Sequence, residues 1–192
     1  KGNADLNHPK IVSVIGTRDA TIHGKATCEK FISQLADLDV LVISGLAYGI
    51  DICAHKAALQ NGLQTIGVMA HGLDKIYPAT HRNTAEKMIK QGGLLTDFMS
   101  QTTPDRENFP KRNRIVAGMT DAVVVIESKK GGGSLITSGI ANSYNRDVFA
   151  FPGRVTDEES EGCNQLIKSH KAALIESAKD LTYIMGWEKE TE

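Results

Sequence analysis

Short runs of consecutive apolar residues alternate along the chain with longer stretches in which apolar positions recur every three or four residues. The runs are Ile11–Ile15, Val40–Ile43, Thr65–Met69, a short Leu94–Thr96, Ala122–Ile126 and Val148–Phe151. A strand whose sheet is covered on both faces reads in this way, as an unbroken apolar run. The stretches 25–38, 49–60, 80–91, 110–119 and 134–144 carry helical spacing, clearest in Phe31, Ile32, Leu35 and Leu38. Helical patterns return near 163–169 and 178–185, beyond the turn at Pro152-Gly153. Strands alternating with helices predict βαβ units. The expected fold is α/β: a doubly wound, mostly parallel open sheet in a single domain over 1–192. Its core is expected at about 10–170, with an acidic C-terminal helical extension over 155–192.

The chain has 192 residues, 41% hydrophobic and 23% charged, a balance that suits one globular domain. No apolar run approaches the roughly 18 residues of a membrane-spanning helix, so no membrane partner is expected. Three cysteines, Cys28, Cys53 and Cys163, form no CxxC pair. Neither a disulfide framework nor a zinc ribbon is expected, and a reducing, cytoplasmic setting is. Net charge is −1, yet residues 155–192 hold nine acids against four bases, which leaves the rest of the chain basic. The basic residues concentrate between Arg106 and Arg114, four of them against one acid. Local fields steer anions, so this distribution matters more than the mean.

In a doubly wound sheet, ligands bind beyond the carboxyl ends of the strands. Those ends carry Gly16-Thr17-Arg18, the segment Ser44–Gly49, His71-Gly72 and Gly131-Gly132-Gly133-Ser134. Glycines before a helix let the backbone approach a phosphate, and first-turn N–H groups are free to bind it. Gly132, Gly133, Ser134 and Thr137 are therefore candidate phosphate ligands, the alternative being a turn with Ser134 as a plain N-cap. Neither a Walker loop nor GxGxxG is present, and no cofactor is expected. Arg18 brings a guanidinium fork to the same crevice, or else a salt bridge between loops. Phe109-Pro110-Lys111-Arg112-Asn113-Arg114 sets an aromatic among cations at a helix start, the equipment of a single-stranded nucleic-acid site. Its alternative is a core aromatic beside a solvated basic face. Asp51 and His55, at i and i+4, lack a third convergent ligand. They read as a residue complementing the helix dipole and its partner, and no metal or catalytic site is expected.

Taken together and in order, these segments resemble one family. Gly16-Thr17-Arg18 with Thr21 and Gly24, Ser44–Asp51 with Ala54-His55, and Gly72-Leu73-Asp74 with Tyr77-Pro78 all fit. So do Phe109–Arg114, Gly133–Thr137, and Pro152-Gly153 with Gly162 and Asn164. The chain is similar to the central Rossmann-like domain of the DNA processing protein A (DprA/Smf) family over about residues 10–170. Asp97-Phe98-Met99 departs from the family pattern, as do His81 and His170. Members often carry a helical region before this domain and a winged helix after it, so a central domain of a longer protein is expected.

The resemblance implies a cytoplasmic, non-enzymatic protein of recombination and natural transformation. It would bind single-stranded DNA, form a homodimer and help load the recombinase RecA. Carried over by motif, the DNA site would use Gly16, Thr17, Arg18, Phe109, Lys111, Arg112, Asn113, Arg114, Gly133, Ser134 and Thr137. Two alternatives stand beside it: a phosphoribohydrolase-like N-glycosidase, and a mononucleotide sensor. The enzyme would need a glutamate soon after the glycine-rich turn, and residues 133–157 contain none.

Overall fold

The computed structural model describes residues 1–188. Seven strands form one sheet in the order β4-β3-β2-β1-β5-β6-β7, every neighbouring pair parallel. They are β1 Ile11–Ile15, β2 Leu41–Ser44, β3 Thr65–Val68, β4 Gly92–Leu95, β5 Ala122–Val125, β6 Asp147–Ala150 and β7 Ala173–Leu174. The helices are α1 Ile22–Leu35, α2 Ile50–Gln60, α3 Arg82–Lys90, α4 Asn108–Gly118, α5 Gly133–Ser143, α6 Glu161–Lys168 and α7 Ala178–Met185. At the free edge of β4, Gly2 bridges Gly93 antiparallel.

Side chains alternate across a strand, and here both sets are apolar. Val12, Val14, Val42 and Val124 face one core, which α1, α2 and α7 close with Phe31, Ile32, Ala54, Ala57 and Leu181. Ile11, Ile15, Leu41, Ile43, Val123 and Val125 face the other, closed by α4, α5 and α6 with Val116, Ala141 and Leu166. This double burial explains why the strands read as continuous apolar runs. The acidic C-terminal stretch is built into the same fold: it supplies β7, while Ile175, Ala178 and Leu181 join the first core.

Because the strands are parallel, all their carboxyl ends lie along one rim. β1 sits between β2 and β5, and the chain winds away from it in both directions. The loops after β1 and β5 meet at this reversal: Thr17 N donates to Glu127 O at 2.8 Å. Thr21, the N-cap of α1, donates through its N and Oγ1 to the Glu127 carboxylate at 2.9 and 2.6 Å. A Cβ at Gly16 would strike Ile50 and the Glu127 carbonyl, so this close approach requires glycine there.

Candidate nucleic-acid interface

Glu127 and the loop contacts fill the rim between β1 and β5. The open space lies beside it, above the ends of β1, β2 and β3 and against the start of α4. There a pocket open to solvent is lined by Arg18, Gly45–Tyr48, Met69–His71, Tyr77, Pro78, Phe109 and Arg112.

Arg18 reaches this pocket from an exposed loop that is tightly held at its base. Gly49 has φ of 75°, and a Cβ there would collide with the carbonyls of Thr17 and Arg18. The α2 N-terminus therefore packs directly under the Arg18 loop, with Ile50 N donating to Thr17 O at 3.1 Å. The Arg18 guanidinium lies 5.2 Å from the centre of the Phe109 ring and makes no salt bridge among the described residues. It stays free to meet an anion.

Phe109 stands in the first turn of α4. Pro110, third in that helix, has no N–H to lose where the helix would leave it unpaired. Three residues on from Phe109, and so on the same side of the helix, Arg112 lies 5.8 Å from the ring. Tyr77 is tilted against Phe109 at 6.3 Å, and Tyr48 meets His81 edge-on at 5.0 Å. Tyr48 and Tyr77 are both half-exposed aromatics on the pocket wall. They were legible only as members of strand-end motifs, since nothing in their spacing marks them as ligands.

Arg112 is only 5% exposed. Its Nη1 donates to the carbonyls of Gly45, at 2.6 Å, and Val68, and its Nε donates to Asn113 Oδ1 at 3.1 Å. The buried Asp51 carboxylate accepts from Gly45 N and Ala47 N at 3.2 and 3.4 Å. Burial pushes the Asp51 carboxyl up, against the pull of the Arg112 guanidinium, and burial likewise lowers Arg112 against the pull of Asp51. Arg112 and Asp51 together hold the loop after β2, the one bonded to Gly45 O and the other to Gly45 N and Ala47 N. Most of the Arg112 donors face protein, which leaves its stacked face as its contribution to the pocket.

The other sequence candidates divide. Gly16 and Thr17 shape the loop without lining the pocket. Lys111 is exposed and 3.8 Å from Glu107, one turn back, and Arg114 is paired with Asp97. Asn113 is half-buried and serves Arg112. Gly132, Gly133, Ser134 and Thr137 do not line the pocket, so the single crevice expected from the sequence is two separate places. Ser134 is buried and donates to Ser128 Oγ at 2.7 Å, while Gly131 and Gly133 are exposed. His55 bonds Thr65 Oγ1 at 2.7 Å rather than Asp51, so the pairing expected from i, i+4 spacing is replaced by one to β3. Burial lowers its pKa to about 3. Among the described residues, no group of three His, Cys, Asp or Glu side chains could hold a metal, and no helix is long and apolar enough to cross a membrane.

A family model described as DNA recombination-mediator protein A matches residues 1–186. The chain is 41% identical over 181 residues to the DNA processing protein DprA of Streptococcus pneumoniae, covering 94% of this chain and 64% of that protein. It is 39% identical to Protein Smf of Synechocystis, covering 91% of this chain but 44% of that one. The fold superposes on the solved S. pneumoniae protein with a TM-score of 0.90 at 40% identity, over 95% of this chain and 64% of that one. For the Helicobacter pylori protein, whose structure is described as giving insights into its single-stranded DNA binding mode, the TM-score is 0.86 at 28% identity. That match covers 95% of this chain and 84% of the other.

Proposed function

The chain belongs to the DNA recombination-mediator protein A family, and from that premise we propose that its pocket grips single-stranded DNA. The observation that carries this reading is the Arg18 guanidinium, without a salt bridge among the described residues, over the half-buried Phe109 ring in a pocket also lined by Tyr48 and Tyr77. Aromatic faces stack bases of any identity, and cations neutralise the phosphates between them. Duplex DNA keeps its bases stacked inside, so the pocket favours single strands. Lys111 and Arg114 stand at the periphery, each already facing an acid, and serve as weaker phosphate contacts. The glycine-rich turn at the start of α5, with Gly132 half-buried and Gly133 exposed, is proposed as a phosphate contact outside the pocket.

We read the domain as a binding module rather than an enzyme. No glutamate follows the glycine-rich turn between 133 and 157, which an N-glycosidase would need, and Ser134 there is held by Ser128. In the cell, the proposed setting is the cytoplasm, where the whole protein acts as a homodimer in recombination and natural transformation and helps load RecA. The relatives of greater length frame that proposal, since the chain spans 64% of the S. pneumoniae protein and 44% of the Synechocystis one.

The test is displacement of a labelled oligo-dT from the domain by unlabelled oligo-dT, duplex of equal length, and nucleoside monophosphates. Displacement by the single strand alone is the expected result. A monophosphate that displaces the oligonucleotide at low concentration would turn the site into a nucleotide sensor, and release of free base from it would make it an enzyme.

A further inference from the structure

Tyr48 lines the pocket two residues before α2, on the loop whose Gly45 and Ala47 are held by Arg112 and Asp51. That loop takes a costly path. Leu46, fully buried, has φ of 57°, a left-handed conformation that bulky side chains rarely adopt. His81, just before α3, secures the turn: its Nδ1 lies 2.9 Å from the Leu46 carbonyl and, because a carbonyl only accepts, donates to it. The same imidazole is 7% exposed and meets the Tyr48 ring, with centres 5.0 Å apart and planes at 70°. Tyr48 is thus anchored on a buried ring while 48% of its own surface stays open. A tyrosine has two side-chain torsions, and with its ring already packed it loses little freedom when a flat ligand covers it.

The place of Tyr48 relative to Arg18 gives this exposure a meaning. The next residue, Gly49, has no side chain, and the Thr17 and Arg18 carbonyls come close against it. The Arg18 backbone therefore lies beside the Tyr48 loop, whereas its guanidinium lies 5.2 Å from the Phe109 ring at the start of α4. The cationic side chain runs from the neighbourhood of one aromatic to the other. Tyr77, tilted against Phe109 at 6.3 Å, widens the Phe109 side of this arrangement.

We propose that Tyr48 is a second base-stacking platform, so that the pocket holds two bases of one strand, one on Phe109 and one on Tyr48, with Arg18 on the phosphate between them. The proposal rests on the single-strand reading and gives it a footprint. A strand alternates base, phosphate and base, and the pocket presents aromatic, cation and aromatic in the same sequence. Stacking on a ring tolerates any base, so a second platform adds affinity without adding sequence preference.

The experiment is fluorescence anisotropy of labelled oligo-dT titrated with the whole chain and with Tyr48→Phe, Tyr48→Ala, Phe109→Ala and the Tyr48→Ala/Phe109→Ala double variant. Several salt concentrations are used, and circular dichroism melting checks that each variant folds. Tyr48→Phe keeps the ring and is expected to bind as the wild type does. Tyr48→Ala is expected to bind about fivefold to hundredfold more weakly. Its slope of log K against log salt stays that of the wild type, because no phosphate contact is lost. In the double variant the two losses multiply, since each ring serves a different base. Wild-type affinity in Tyr48→Ala, with Phe109→Ala weakened, would overturn the second platform and leave the single-strand reading standing. A double variant no weaker than Phe109→Ala alone would also overturn it, because both rings would then serve one base. Loss of oligo-dT binding in neither alanine variant, or no binding by the wild type, would overturn both readings together.

Discussion

The Nη1 of Arg112 donates to the Gly45 carbonyl at 2.6 Å, joining the first turns of α4 to the loop after β2 across the floor of the pocket. Arg112 therefore has a different task from Arg18, though both stand beside Phe109. One guanidinium builds the wall, and the other is free to meet phosphate.

Substitution Arg112→Ala leaves Asp51 and two carbonyls buried without their cation. Leaving buried carbonyls without their donor costs about 1–3 kcal/mol each, so urea unfolding is expected to show a clear loss of stability. DNA binding falls with it. Unchanged stability would mean that Arg112 does not hold the loop.

Arg18→Ala removes an exposed side chain that makes no salt bridge among the described residues and loses only its contact with the Phe109 ring, so the melting temperature is expected to stay within a degree or two. Single-strand affinity falls, and the slope of log K against log salt becomes shallower by about 0.7 for the lost phosphate contact. Circular dichroism melting and salt titrations separate the two effects.

Phe109→Ala removes a stacking face worth about 1–3 kcal/mol per base, roughly a fivefold to hundredfold loss in affinity. Phe109→Tyr keeps the ring and is expected to bind nearly as well. Equal losses in the two variants would argue against stacking.

His55 gives the stability a defined pH dependence. Its folded pKa, about 3, lies below the usual 6.5, so the folded state favours the neutral ring. That contribution is complete above pH 6.5. It is lost as pH falls towards 3, because the unfolded chain takes up a proton that the folded one refuses. Between pH 6.5 and 5 the loss is expected to be about 2 kcal/mol. Urea unfolding across this window checks it, and His55→Gln is expected to flatten the slope.

The strands β1, β2, β3, β5 and β6 were legible because both of their faces are largely buried, which leaves apolar runs, whereas β4 was read only at Leu94–Thr96 because its first half is Gly92-Gly93. β7 was not legible, since two residues, both exposed, carry no period. The α1 start was read late, at 25, because Ile22 and His23 are exposed and only the Thr21 cap marks the true boundary. In the site, Arg18 and Phe109 were legible from their chemistry and their place at a strand end and a helix start. The division of labour among Lys111, Arg112 and Arg114 was not. Three cations in four residues look alike in sequence, and only the fold places Arg112 against carbonyls of β2 and β3 and Arg114 against Asp97. The glycine-rich turn misled for a related reason: it does end a strand at the same rim, but Glu127 and the Thr17 loop fill the space that would have joined it to the pocket.

The central claim is that Arg18 and Phe109 together hold single-stranded DNA. Fluorescence anisotropy of labelled oligo-dT, titrated with the wild-type domain, both single variants and the Arg18→Ala/Phe109→Ala double variant at several salt concentrations, tests it most directly. The account predicts salt-sensitive binding by the wild type, weaker binding by each single variant, and a double variant at the level of duplex binding. A double variant that binds oligo-dT as the wild type does, with the same salt slope, would contradict it.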